Sequence, residues 1–262
     1  MPWITRGLRD GIVTTRYPRR ADGYADDFRS AVTVTGQPGP ADRAGLQRLC
    51  PTGAITVERG LEVDRGRCIL CGRCVAARPE VFAYEAGAET ARLHRRLLVT
   101  PPGPDAVALA ATVRHQLAER TRRFGRSLHL RHVDAGSDGS EEWEIAALTG
   151  PIYDIHRLGI FFTPSPRHAD VLLVTGAGTA GMIEPLRLTH EAMPDPKVVV
   201  AVGTDAISGG LVHPTYATRG GVADILPVDV WVPGSPPSPF SILHGLLLAM
   251  GRLRAPQEVG RA

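Results

Sequence analysis

Lysine is almost missing from this chain. Of its 30 Lys and Arg residues Lys197 alone is lysine, and the arginines are scattered rather than clustered. Aromatics, at 5%, rarely interleave with them. The basic, stacking face of a nucleic-acid-binding protein is therefore excluded, and no nucleic-acid partner is expected. Long apolar runs are missing too. The longest, Ile242 to Met250, is too short to span a bilayer, and nothing at the N-terminus reads as a signal peptide. Membrane contact must come through partners. What remains, 262 residues with 43% hydrophobic and 22% charged residues and a net charge of +3, suits a soluble chain of one large or two ordinary domains.

Cysteine is scarce and concentrated: all four lie between Cys50 and Cys74. Cys68-Ile69-Leu70-Cys71-Gly72-Arg73-Cys74 makes three thiolates converge from one tight loop, and Cys50-Pro51 supplies a fourth from the other side. This is the ligation pattern of a cubane [4Fe-4S] cluster in bacterial ferredoxins. In the full two-cluster pattern, Cys-x2-Cys-x2-Cys-x3-Cys-Pro twice over, each run lends its last cysteine to the other run's cluster. Cys50 is then the last cysteine of a first run whose other positions are Pro40, Arg43 and Leu46, while the second run has Arg78-Pro79 at its end. One cluster keeps all four ligands and the other keeps none, so one [4Fe-4S] cluster on Cys50, Cys68, Cys71 and Cys74 is expected. A four-cysteine zinc site is the main alternative, although zinc sites usually use two separate pairs. Disulfides suit the spacing and the inferred compartment less well. Confinement of every cysteine to one candidate site points to reducing surroundings, hence the cytoplasm.

The pattern along the chain divides it into an N-terminal arm (1–35), a ferredoxin-like α+β domain (36–98), a linker and bridging helix (99–126), an α/β domain (127–252) and a flexible tail (253–262). The arm reads as strand-like from Gly7 to Pro18, with a strand at Ala31 to Thr35. The module holds a helix over Ala41 to Leu49 and strands near Ala54 to Val57 and Leu61 to Asp64. Thr100-Pro101-Pro102-Gly103-Pro104 is a linker by composition, followed by a helix from Asp105 to Arg123. Beyond Ser127, strands at Leu128 to Val133, Asp170 to Val174, Lys197 to Val202 and Val228 to Val232 alternate with helices beginning near Glu142, Met182 and Pro239. That alternation predicts a doubly wound, flavodoxin-like parallel sheet covered on both faces.

Five segments of this second half, Tyr153 to Ile160, Ser165 to Gly176, Pro196 to Gly203, Ala206 to Gly210 and Pro227 to Gly234, resemble in order and spacing the small subunit shared by respiratory complex I and the membrane-bound NiFe hydrogenases of the formate hydrogenlyase type. The resemblance covers roughly residues 127 to 250. It implies an oxidoreductase complex in which this domain docks on a large catalytic subunit, and through it on membrane subunits, so a peripheral position on the cytoplasmic face of the membrane. It also implies a [4Fe-4S] cluster whose ligand positions fall here on Asp138, Glu141, Asp205 and Ser235. None is cysteine. Oxygen ligands hold a reduced cubane poorly, a hard cation such as Mg²⁺, Ca²⁺ or Mn²⁺ suits them better, and a plain polar pocket is the simplest reading.

The expected function is electron transfer through the single cysteine-bound cluster, with no catalytic residues on this chain. Arg67, Arg73 and Arg78 should favour its reduced form. The docking face is expected near Asp138 to Trp143 and Ser235. The rival expectation is a structural docking subunit of a degenerate hydrogenase-related complex. Gly176-Ala177-Gly178-Thr179-Ala180-Gly181 fits G-x-G-x-x-G, but Asp195 stands at the wrong end of the next strand to bind a ribose, so no nucleotide is expected. His156 and His168 read as packing or hydrogen-bonding residues.

Overall fold

The computed structural model describes residues 2–23, 27–39, 42–58, 60–125, 127–212 and 214–253. The expected tail, apart from Leu253, lies outside them.

The second half of the chain folds because two of its strands can be buried on both sides. Strands β8 (Val171–Thr175) and β9 (Val198–Val202) have all five residues buried, which suits the middle of a parallel sheet sandwiched by helices. With β6 (Leu128–Asp134), β7 (Ile160–Phe162) and β10 (Val230–Val232) they form a five-stranded sheet in the order β10-β9-β8-β6-β7, and every pairing is parallel. Renumbered within the domain this is 2-1-3-4-5, the flavodoxin-like order, with its switch point between β6 and β8. β7 had no counterpart in the sequence reading: it is a three-residue edge strand with Phe161 and Phe162 exposed.

Alternate residues of the central strands feed two cores. Leu128, Val171, Leu173, Val198 and Val200 pack with α8 (Pro239–Ala249), and Val133, Leu172, Val174, Val199 and Ala201 with Leu186 of α6 (Ile183–Ala192) and Ile207 of α7 (Gly203–Ser208). Every residue of α8 is buried, as expected of a helix that is apolar all round. Its Ser238 hydroxyl caps the first turn by accepting from the Ser241 N–H at 3.2 Å, and His244 Nδ1 accepts from the Ala91 N–H at 3.2 Å. Lys197 is spent on α6: its ammonium donates to the carbonyls of His190 (2.9 Å) and Met193 (3.2 Å) at that helix's end.

The ferredoxin-like unit has an antiparallel pair, β1 (Arg29–Val34) with β4 (Phe82–Ala86), and a three-stranded sheet, β2 (Ile55–Thr56), β3 (Glu62–Asp64) and β5 (Val99–Thr100). Two short helices, α2 (Arg43–Leu49) and α3 (Arg73–Ala77), flank the cysteine loop. Because β1 pairs with β4, residues 29–34 of the expected arm are part of this unit. The bridging helix is α4 (Ala106–Thr121). A further difference lies at the start. The expected strand-like stretch from Gly7 begins instead as helix α1 (Pro2–Asp10), and Gly11, at φ 66°, ends it. The β-branched residues that suggested a strand all follow that glycine. They do pin the arm to the α/β unit, as Thr14 Oγ1 donates to Pro151 O at 2.7 Å and the Thr15 N–H to Ile152 O at 2.8 Å.

Leu173 is fully buried in the middle strand. Leu173→Ala should lower the unfolding free energy by about 2–5 kcal/mol, measured as a fall in the urea midpoint without a change in slope.

Candidate functional site

Helix α2 ends at Cys50, and the Cys68–Cys74 loop returns beneath it, so that all four thiols line one cavity walled by Val32, Leu49, Ala54, Ile55 and Val63. The loop turns sharply because Leu70 (φ 55°) and Gly72 (φ 75°) adopt left-handed conformations. At Gly72 a side chain is also excluded by space, since the Tyr84 hydroxyl sits where a Cβ would be. Backbone donors surround the sulfurs. The Ala54 N–H donates to Cys50 Sγ at 3.2 Å, and the N–H groups of Leu70 and Val75 are aimed at Cys68 and Cys74.

Burial pushes the Cys68 thiol up to about 12, the Leu70 N–H opposing and the other three cysteines reinforcing the shift. Cys74 is raised for the same reason. Four sulfurs crowded in an apolar cavity resist ionising together unless a cationic centre binds them. Among the described residues no group of three or more Cys, His, Asp or Glu side chains is arranged to hold a metal ion. Of the neighbouring arginines, Arg78 is paired with both Glu80 and Asp42, which leaves its charge largely compensated at the loop.

The second candidate site forms at the C-terminal edge of the parallel sheet, where the switch point of such folds places ligands. Asp138 and Glu141 follow β6, Asp205 follows β9 and Ser235 follows β10. Asp138 is exposed, and the Ser140 N–H donates to it at 2.9 Å; Ser140's hydrogen bonds hold its carboxyl below the usual range. Glu141 is 1% exposed, with its carboxylate packed on Gly203 and accepting from Ser140 Oγ at 3.1 Å. Burial pushes it up to about 7, with Asp205 and Asp138 adding repulsion. Asp205 lies against Gly210 and is raised by burial and then by Asp138. The three carboxylates therefore converge, without forming a ready cage for a cation among the described residues. Ser235 is exposed beside them; Gly234 before it accepts from the Thr204 N–H at 2.7 Å.

The two sites touch. Thr204 Oγ1, one residue before Asp205, donates to the Cys68 carbonyl at 3.1 Å, and Gly66 packs on Ile207 of the same helix. Neither contact was visible in the sequence beyond the Gly203-Thr204 pair flanking the third ligand position. Also unforeseen is a polar chain beside the pocket, in which Ser137 Oγ donates to Glu142 (2.8 Å) and Glu142 and His132 both bond Thr175 (2.5 and 3.1 Å). The G-x-G-x-x-G turn is occupied by protein: the Ala180 N–H donates to Ala217 O at 2.7 Å, the Arg219 N–H to Gly178 O at 3.0 Å, and Gly176 packs on the Gly136–Ser137 backbone. His156 stacks on Phe161 with ring centres 5.4 Å apart.

A ferredoxin-like module is set against a flavodoxin-like sheet, with the thiol loop at the sheet's C-terminal edge. Residues 139–249 match the NADH ubiquinone oxidoreductase 20 kDa subunit family, and residues 63–113 match the 4Fe-4S single cluster domain of ferredoxin I, a span that includes Cys68, Cys71 and Cys74 but not Cys50. The Probable membrane-bound hydrogenase subunit mbhJ of Pyrococcus furiosus is 42% identical over 138 residues, 53% of this chain and 83% of that one. Formate hydrogenlyase subunit 7 of Escherichia coli is 38% identical over 160 residues, 60% of this chain and 63% of that one, so the chain spans less than two thirds of this relative's length. An NADH-quinone oxidoreductase subunit of Clostridium beijerinckii is 42% identical over 120 residues, 45% and 71% of the two chains. The chain belongs to the 20 kDa subunit family. No helix among the described residues is long and apolar enough to cross a membrane.

A raised acid costs stability where the folded form must ionise. The folded Glu141 holds its proton up to about pH 7 while the unfolded one loses it near 4.5, so stability falls as pH rises through that window and the loss is complete above it. Glu141→Gln removes this penalty. It should be more stable than the parent by roughly 1–3 kcal/mol at pH 8 and converge with it below about pH 4.5, as read by urea titration. A parent stabilised instead by Mg²⁺ or Mn²⁺ at pH 8, in a way that Glu141→Gln abolishes, would establish a cation there.

Proposed function

We propose that this chain is the electron-transfer subunit of a complex I-like or hydrogenase-like oxidoreductase assembly, holding one [4Fe-4S] cluster on Cys50, Cys68, Cys71 and Cys74. The observation that carries this reading is the ring of four thiols in one apolar cavity, with backbone N–H groups directed at the sulfurs. Such donors favour the more negative, reduced state of a thiolate cluster. When bound, the cluster supplies a one-electron couple. The chain's own residues hold it, exclude water with Val32, Ile55 and Val63, and fix the loop against the α/β unit through Thr204.

In this reading the Asp138, Glu141, Asp205 and Ser235 pocket no longer carries electrons, and the α/β unit serves to dock a large catalytic subunit. The relatives named for hydrogenase and NADH-quinone oxidoreductase assemblies support that role. So does Trp143, which is 80% exposed on the helix that bears Glu141, α5 (Ser140–Ala147). Through that partner the chain sits at the cytoplasmic face of the membrane.

Iron and acid-labile sulfide per chain, on protein purified without oxygen, with EPR after dithionite reduction, tests this. About four irons and a single S = 1/2 signal, both lost in Cys71→Ser, are expected. Zinc in place of iron would overturn the assignment. About eight irons would mean that the carboxylate pocket holds a second cluster.

A further inference from the structure

Helix α1 stands apart from both cores. Its side chains from Trp3 to Asp10 are all exposed, among them Trp3 (73%), Ile4 (40%) and Leu8 (81%). Ile12 (82%) and Val13 (54%) continue the exposed run to Thr14, where the arm is fixed to the Pro151 carbonyl. A nine-residue helix with Gly7 inside it is marginal in water on its own, and so many large apolar side chains held in water within one short segment are unfavourable. The segment is therefore suited to form against a surface outside this chain.

The arrangement of its residues points to the kind of surface. At roughly 100° per residue, Trp3, Ile4, Gly7 and Leu8 share one half of the helix, and Thr5, Arg6, Arg9 and Asp10 share the other. A helix that enters a protein groove presents a stripe of anchors at i, i+3, i+4 and i+7. Here a whole half is apolar, with tryptophan on it and arginine opposite, which is the pattern of a helix lying in a lipid–water interface. The charge agrees. From Pro2 to Arg20 there are five arginines and one aspartate. Arg6 pairs with that aspartate, Asp10, at 3.4 Å, while Arg9, Arg16, Arg19 and Arg20 are exposed. Asp22, Asp26 and Asp27 come only after the turn in which the Arg19 and Arg20 N–H groups donate to the Arg16 carbonyl, and the Asp22 charge acts on Tyr153 in the body of the α/β unit. The arm's fixed point at Pro151 and Ile152 lies past the end of α5, whereas the docking face proposed above lies at that helix's start.

We propose that α1 lies in the interface of an anionic membrane, with Trp3, Ile4 and Leu8 turned into the acyl boundary and the arm's arginines on lipid phosphates. The inference rests on the membrane-side position proposed above. It replaces the expectation, drawn from the lack of a long apolar run, that membrane contact comes only through partners.

Flotation of the full chain with vesicles tests this, using phosphatidylcholine alone and phosphatidylcholine mixed with phosphatidylglycerol. The chain should float with the mixed vesicles. Leu8→Glu, at a side chain that packs on neither core, leaves the fold intact and should weaken that partition at least about tenfold. Arg9→Glu should weaken it at least about fivefold on the mixed vesicles and little on phosphatidylcholine. Lipids brominated on the acyl chain should quench tryptophan emission in the parent and not in Trp3→Phe. No flotation with the mixed vesicles, unchanged partition in Leu8→Glu, or quenching that persists in Trp3→Phe would overturn the proposal, the first of these leaving α1 to a protein groove. Flotation needs neither the partner subunit nor the cluster, so its failure would leave the electron-transfer assignment standing.

Discussion

One buried hydroxyl ties the cysteine loop to the edge of the parallel sheet. Thr204 is fully buried, and its Oγ1 lies 3.1 Å from both the Cys68 and the Gly234 carbonyls. A single proton is shared between the cysteine loop and the loop that ends the parallel sheet. Because an unsatisfied buried carbonyl costs about 1–3 kcal/mol, the cysteine loop cannot swing away without exposing that group or finding it a new donor. The position of the thiols relative to the sheet edge, and hence to whatever docks there, follows from this contact and from the packing of Gly66 on Ile207.

In the proposed reading, the neighbouring carboxylate pocket is a redox site lost while its architecture stays. Glu141 and Asp205 stand at positions that the family resemblance assigns to ligands, and they fill their space by lying against Gly203 and Gly210. Thiolates there would need iron to offset their charge, whereas a carboxyl can stay neutral by keeping its proton. On that reading the substitution leaves a packed, protonatable patch in place of a charged vacancy.

Much of this was legible in the sequence because it depended on local or one-dimensional signals. The β8 and β9 runs announce double-sided burial, α8 is apolar throughout, and the cysteine spacing reports converging thiolates. Elements that escaped notice were short or edge-bound: β7 has three residues, and α7 has six beginning with a glycine. Helix α1 was obscured by the β-branched residues after Gly11. At the sites, residue identity was readable but neighbourhood was not. Convergence of Asp205 with Asp138 and Glu141 could be expected only from a family resemblance, since it follows β9 and they follow β6. The meeting of Thr204 with Cys68 arises where the two units pack, a relation no local pattern encodes.

The scarcity of lysine has a practical echo in the fold. The single ammonium, on Lys197, is bonded to two carbonyls at the end of α6, away from the sheet edge proposed as the docking face. Amine-directed cross-linkers will be nearly blind to the partners of this subunit, and a sparse map from them will say nothing about how much surface is covered. Carboxylate-directed reagents, by contrast, have the exposed Asp138 within the very rim where a partner is expected.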